Sequence, residues 1–214
     1  MAKIKICGIK SLADVECLNT YKPDYTGFVF WPHSHRYLTL DKAWRLREKL
    51  DSDILSAGVY VDEDMDKVIE AARRNIINVI QLHGKEDNEY IKKVKDITGL
   101  PVIKAIKIEG ENSLENCDKL DADYILFDSG MGSGKTFDWR SLKVSINKPY
   151  FIAGGINAEN VENAIDIFSP YGVDLSSSVE TDKVKDPEKI ISRWIRINWM
   201  KMSTNSLITR HSDR

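Results

Sequence analysis

Short apolar runs alternate with stretches of helical periodicity along most of the chain. The runs are Lys3–Cys7, Thr26–Phe30, Ile54–Val61, Asn78–Leu82, Val102–Lys107, Tyr124–Asp128, Tyr150–Ala153 and Val173–Ser176. Most are bounded by Gly, Pro, Asp or Ser, as strands buried on both faces should be. Between them, Asp64–Arg74 sets Met65, Val68, Ile69 and Ala72 on one helical face, and Asn88–Thr98 does the same with Tyr90, Ile91, Val94 and Ile97. Helix starts carry cap signals: Ser11 with Asp14, Asn157 before a helix expected from Ala158, and Asp186 before Pro187. Gly99 followed by Pro101 marks a helix stop.

Eight strands, each followed by a helix, is the count of a closed α/β barrel of the (β/α)8, or TIM, type. An open doubly wound sheet more often has fewer strands and a glycine-rich first turn; the turn Cys7–Ser11 holds one glycine. No composition break divides residues 1–200, so a single domain is expected. Residues 201–214 are polar and aperiodic, which reads as a frayed end or an addition from cloning. Near the C-terminal end, Ile190, Ile191, Trp194 and Ile195 suit packing on the barrel, and Trp199 lies close to the tail.

Composition narrows the class. A hydrophobic content of 42% with 30% charged residues is that of an ordinary globular chain. A net charge of -2 argues against a general nucleic-acid binder. No apolar run approaches the roughly 18 residues of a membrane span. Three cysteines without metal-type spacing point to a reduced, cytoplasmic protein lacking disulfides. Nothing in the chain decides between a monomer and a homodimer.

In such a barrel the active site is built from the C-terminal strand ends and the loops after them. Cys7 ends the first strand, where either a small buried hydrophobe or an acid–base group fits. Asp128 closes the apolar run Tyr124–Asp128, where a carboxylate must be solvated, paired or functional. A base and an acid on separate strands would make a proton-transfer pair. Arg36, in the loop Trp31–Tyr37, has the fork to hold a carboxylate or phosphate, or is simply solvated. His33 and His35 have no third ligand in view, so no metal site is expected. His83 suits a substrate contact or a turn equally. The small-residue loops at Ala153-Gly154-Gly155 and Ser176-Ser177 let backbone N–H groups approach an anion, which suggests a paired phosphate cradle. The glycine-rich Ser129–Thr136 imitates a nucleotide P-loop but has serine where the first glycine belongs. A loop that folds over substrate, with Lys135 adding charge, is the better reading.

Six segments in register resemble one family. They are Lys5–Ile9, Gly27–Phe30 with Ser34–Tyr37, Gln81–Gly84, Gly132–Trp139, Ala153–Gly155 and Val173–Ser177. Together they are similar to phosphoribosylanthranilate isomerase, the third step toward tryptophan from anthranilate. The resemblance implies a cofactor-free Amadori rearrangement of a small phosphorylated substrate, without nucleic-acid or membrane partners. It implies Asp128 as general acid and Cys7, reacting as a thiolate, as general base. Arg36 would face the anthranilate carboxylate, with Gln81, His83 and Asp174 as further substrate contacts. Gly154, Gly155, Ser176 and Ser177 would hold the phosphate. Two positions depart from the family pattern: Met131 precedes Gly132 where glycine is frequent, and Ser178 follows the serine pair where glycine is frequent. Related phosphate-binding barrels usually need metal-binding histidines or a catalytic lysine, for which His83 and Lys107 are thin support. A non-catalytic phosphate-binding barrel is disfavoured by the intact Cys7, Asp128 and Arg36.

Overall fold

The computed structural model describes residues 2–108, 116–130, 146–192 and 197. Eight parallel strands close on themselves in sequence order. They are β1 (Lys3–Cys7), β2 (Tyr25–Val29), β3 (Leu55–Tyr60), β4 (Val79–Leu82), β5 (Val102–Lys107), β6 (Tyr124–Asp128), β7 (Tyr150–Ala153) and β8 (Gly172–Leu175). The ring shuts where β1 pairs with β8, Lys5 standing opposite Asp174. The helices are α1 (Leu12–Tyr21), α2 (Leu40–Arg47), α3 (Met65–Arg73), α4 (Asn88–Thr98) and α5 (Val161–Phe168), and residues 187–192 are also helical. The described part of the β5–β6 connection holds a 3-10 turn, Cys117–Lys119. The glycine-rich loop at 131–139 with Lys135, the residues Trp194, Ile195 and Trp199, and the tail 201–214 lie outside the described residues.

Local signals place most boundaries. Ser11 and Asp14 form a reciprocal capping box at α1. Gly99 ends α4 in the left-handed conformation, φ 68°, its N–H bonded to the Lys95 carbonyl. Pro187 opens the helical stretch after Asp186, as expected. One boundary differs: α5 begins at Val161, not Ala158. Asn157 Oδ1 accepts from the N–H groups of Glu159 and Asn160, while Asn160 Oδ1 accepts from Asn157 N–H at 2.8 Å. That mutual bonding holds residues 158–160 as a turn ahead of the helix.

Alternation along the strands makes two cores. Ile4, Ile6, Phe28, Ile80, Ile125, Phe127, Ile152 and Val173 face the helices in one large cluster. The intervening residues Tyr25, Ala57, Val79, Ile103, Ala105, Leu126, Phe151 and Ala153 fill the barrel. A small upper layer follows, made of Cys7, Val29 and Val59. At the N-terminal end Phe151 packs edge-on against Tyr25 and Tyr171, centroids 5.5 and 5.3 Å away. The Tyr25 and Tyr171 hydroxyls meet at 3.0 Å. These rings fill that end, and the described cavity opens at the other.

Two charged clusters hold the upper loops. After β8 a hairpin absent from the sequence reading, β9 (Glu180–Thr181) and β10 (Val184–Lys185), folds back toward the rim. Glu180 there takes Arg36 through two hydrogen bonds of 2.7 Å and Lys185 through one of 2.8 Å. Burial pushes the Glu180 carboxyl up, but those cations overcome it and hold it at about 2. Behind β4, Lys104 donates to Glu86 at 2.7 Å and to the Gly84 carbonyl at 2.6 Å. Glu86 also accepts from the backbone N–H groups of Asp62 and Gly84. Both side chains are almost fully buried.

Glu86→Ala leaves the Lys104 ammonium buried without its counter-charge and should cost about 3–5 kcal/mol. Urea unfolding checks this, and a loss under about 1 kcal/mol would mean that the pair does not hold the loop. The Glu180 shift has a defined sign. A depressed carboxyl contributes stability that is fully present above its unfolded value of about 4.3 and is lost as pH falls through about 2. The stability gap between the wild type and Glu180→Gln should therefore be constant near pH 6 and shrink below about pH 4.3.

Candidate active site

The C-terminal strand ends surround one cleft of about 650 Å³. Cys7, Arg36, Gln81, His83, Asp128, Gly154, Gly155, Asp174, Ser176 and Ser177 all line it. Strand direction explains why residues so distant in sequence meet. Cys7, Asp128 and Ala153 are the last residues of their strands, and every strand in the ring points the same way. β7 and β8 lie between β6 and β1, so the two small-residue loops sit between Asp128 and Cys7.

Cys7 is buried and packs on Val29 and Val59. Its partner in register is Gly27, where a Cβ would stand 2.6 Å from the Cys7 sulfur. Glycine is therefore the residue that leaves room for the thiol. Below it, Lys5 points into the barrel, fully buried, and donates to Asp174 Oδ2 at 2.7 Å. Burial disfavours the Lys5 ammonium, but the Asp174 carboxylate prevails and the lysine holds its proton more firmly than usual. Burial also pushes the Cys7 thiol up, with Lys5 pulling against it. Burial thus favours the neutral thiol, and the Lys5 ammonium favours the thiolate.

Asp128 is held from two sides. Its Oδ1 accepts from Gly130 N–H at 3.0 Å, and its Oδ2 lies 3.1 Å from His83 Nε2. Burial pushes the carboxyl up, but the His83 and Gly130 hydrogen bonds and the charges of His83 and Lys107 leave it below its ordinary value. His83 Nδ1 is in turn 3.2 Å from Gln81 Nε2. Gln81 is buried inside β4, and its Oε1 has no hydrogen-bond partner among the described residues. Gln81 and His83 reach the cleft as expected, but they also bond to each other and to Asp128.

The loop glycines Gly154 and Gly155 both take positive φ, 78° and 67°. A Cβ on Gly154 would run into the Asp128 carboxylate and Ser129. Across from them, Ser176 donates to the Cys7 carbonyl at 3.2 Å, and Ser177 opens the 3-10 turn Ser177–Val179. The buried Ser178 hydroxyl has no partner among the described residues and also faces the cleft. Such a concave, small-residue rim suits an anion. Arg36, in the loop after β2, is half-buried beside Gly8 and oriented by Glu180.

Sequence reading missed Lys5, Glu180 and Lys185. Lys5 was visible only as a polar residue in an alternating strand. That it points inward needed the barrel's handedness of in and out. Glu180 and Lys185 depend on a hairpin two residues long in each arm, which leaves no periodic trace. Trp31, more than a third exposed, adds an aromatic wall to the cleft.

The comparisons with known proteins agree on one family. A model described as N-(5'phosphoribosyl)anthranilate (PRA) isomerase matches residues 4–194. A relative from Clostridium acetobutylicum, called N-(5'-phosphoribosyl)anthranilate isomerase, is 42% identical over 209 residues, covering 94% of this chain and 100% of that one. A Thermus thermophilus phosphoribosyl anthranilate isomerase superposes with a TM-score of 0.83 at 31% identity, covering 92% and 99% of the two chains. Another phosphoribosyl anthranilate isomerase, solved in complex with reduced 1-(o-carboxyphenylamino)-1-deoxyribulose 5-phosphate, gives 0.77 at 33% identity, covering 91% and 97%. The chain belongs to the N-(5'-phosphoribosyl)anthranilate isomerase family of enzymes.

Proposed function

We propose that this chain converts N-(5'-phosphoribosyl)anthranilate into 1-(2-carboxyphenylamino)-1-deoxyribulose 5-phosphate, without a cofactor, using Asp128 as general acid and Cys7 as general base. The observation that carries the reading is the order around the rim. A carboxyl on β6 and a thiol on β1 flank two small-residue loops, with an arginine after β2, the next strand beyond the thiol. A substrate anchored by its phosphate between the loops at Gly154-Gly155 and Ser176-Ser177 has its ribose between the acid and the base. Its anthranilate end then reaches toward Trp31 and Arg36.

Each step follows from that placement. The protonated Asp128 gives its proton to the furanose ring oxygen. The C1'–O4' bond breaks, its electron pair stays on oxygen, and the anthranilate nitrogen lone pair closes a C1'=N iminium. The Cys7 thiolate then takes the C2' proton, and the C–H electrons form the C1'=C2' bond of an enolamine while the iminium electrons return to nitrogen. Tautomerisation delivers a proton to C1' and removes the enol proton, leaving the C2' ketone. Proton transfers of this kind contribute about 100- to 10,000-fold each. Fixing both ends of a flexible substrate supplies orientation.

Lys5 and Asp174 serve the base electrostatically. The thiol is buried, so its ionised form needs a nearby cation, and Lys5 is the cation beneath it. Asp174 keeps the lysine oriented and moderates its field. Glu180 fixes Nε and one terminal nitrogen of Arg36. The guanidinium retains donors on its remaining edge, which can take a carboxylate.

Cys7→Ala should lower turnover at least about 100-fold, while the reduced product analogue binds within a few-fold of normal. Substrate fluorescence decay and analogue titration read the two quantities, and substantial turnover in the variant would remove Cys7 as the base. Asp128→Asn should lose turnover by at least about 100-fold likewise. If it instead turned over with an unchanged pH–rate profile, Asp128 would not be the acid.

A further inference from the structure

Asp128 presents a chemical difficulty as an acid. The contacts from His83 Nε2 and Gly130 N–H favour its carboxylate, yet it must carry a proton to the ring oxygen. The side chains around it suggest where that proton is kept. We propose that His83 is a positioning residue sharing one proton with Asp128, so that the acid is the His83–Asp128 pair, and that Gln81 accommodates both forms of the imidazole. This rests on the reading of Asp128 as the general acid.

Both ring nitrogens of His83 are engaged. Nε2 lies 3.1 Å from Asp128 Oδ2 and Nδ1 lies 3.2 Å from Gln81 Nε2. With a neutral imidazole, the Gln81 amide N–H donates to Nδ1, and Nε2–H donates to the carboxylate. The Gln81 carbonyl oxygen is then buried with no partner among the described residues. Turning the amide over brings that oxygen to Nδ1, where an imidazolium N–H can donate to it. One buried glutamine thus fits the imidazole with or without the extra proton, and in both cases Nε2 faces Asp128, as a donor before the transfer and as a bare lone pair after it.

The proton balance is complete. The loaded pair is an imidazolium beside a carboxylate, or, after transfer across the 3.1 Å contact, a neutral imidazole beside a carboxylic acid. The carboxylic acid gives its proton to the furanose oxygen as the C1'–O bond breaks, leaving a carboxylate and a neutral imidazole. The Cys7 thiolate gains the C2' proton and later releases it to water. His83 is about a third exposed, at 34% of its side chain, so it can take a new proton from solvent and reload the pair.

The charges facing the pair come from three sides. Lys107 at the end of β5 favours the Asp128 anion. Asp174 on β8 acts on both members, and its negative charge favours keeping a proton on the pair. Behind Gly84, Lys104 and Glu86 form a mutually neutralised ion pair. An imidazole is the side chain that exchanges its proton near neutrality, whereas a lone carboxyl does so near pH 4.

The test is His83→Gln, which can keep an amide donor toward Asp128 but cannot hold a proton. It is compared with the wild type from pH 5 to 9 for kcat, KM and analogue affinity, alongside Asp128→Asn. At pH 7 the kcat/KM of His83→Gln should fall about 100-fold, the lower end of what a positioned proton donor contributes. Analogue affinity should stay within about 3-fold, and the deficit should shrink steadily toward pH 5. A deficit constant across pH would make His83 merely structural. A deficit seated in KM and analogue affinity would make it a substrate ligand, and the absence of any deficit would remove it from the reaction. Each of these overturns the proposal while an inactive Asp128→Asn leaves Asp128 as the acid. A fully active Asp128→Asn would instead overturn the reading on which the pair rests.

Discussion

A parallel sheet keeps two open edges unless its first and last strands meet, and here they meet along Lys3–Ile6 and Gly172–Leu175. That seam sets Lys5 opposite Asp174 in register, and their side chains join inside the barrel at 2.7 Å. It also puts the Cys7 rim beside Ser176, whose hydroxyl bonds to the Cys7 carbonyl. Without closure, β1 and β8 would be distant edges, the thiol would be separated from the Ser176-Ser177 loop, and Lys5 would have no partner. Both backbone satisfaction and the meeting of the functional groups depend on this one pairing.

A fully buried lysine–aspartate pair is a poor way to gain stability, because desolvating two charges offsets most of their attraction. An apolar pair of equal volume would fill the same space at lower cost. The barrel already uses such filling one layer down, with Ala57, Ile103, Leu126 and Phe151. The charged pair sits instead directly beneath Cys7, whose thiolate the Lys5 ammonium favours. Gly27 beside Cys7 shows the same preference, giving up side-chain packing to admit a sulfur atom. The upper layer of the barrel gathers titratable groups, and the lower layers carry the packing.

The strands were legible because they are buried on both faces and punctuated by Gly, Pro and Asp. The observed bounds of β1, β5, β6 and β7 are the expected ones; β2 and β8 shift by one residue, β4 loses its first residue and β3 loses one at each end. Strands buried on both faces also conceal which residues point inward, since Ile4 and Lys5 differ in polarity but Ile103 and Ile125 do not. Caps were legible where one residue satisfies its own helix end, by a side chain at Ser11 and by a left-handed backbone at Gly99. The start of α5 was not, because two asparagines bond to each other's backbone and hold residues 158–160 as a turn ahead of the helix.

The sequence by itself determined the order of strands and helices, the parallel barrel they imply, and the residue types at each strand end. These are local properties, carried by periodicity, capping and chain length. It also carried the family resemblance, which lies in short segments preserved in register. Only the tertiary structure decided which charges face one another: Lys5 with Asp174, Arg36 with Glu180 and Lys185, and His83 between Gln81 and Asp128. Most of these partners come from strands or loops far apart in the chain. Burial and opposing charge, which exist only once the barrel has closed, set the Cys7 thiol and the Asp128 carboxyl on opposite sides of their ordinary values.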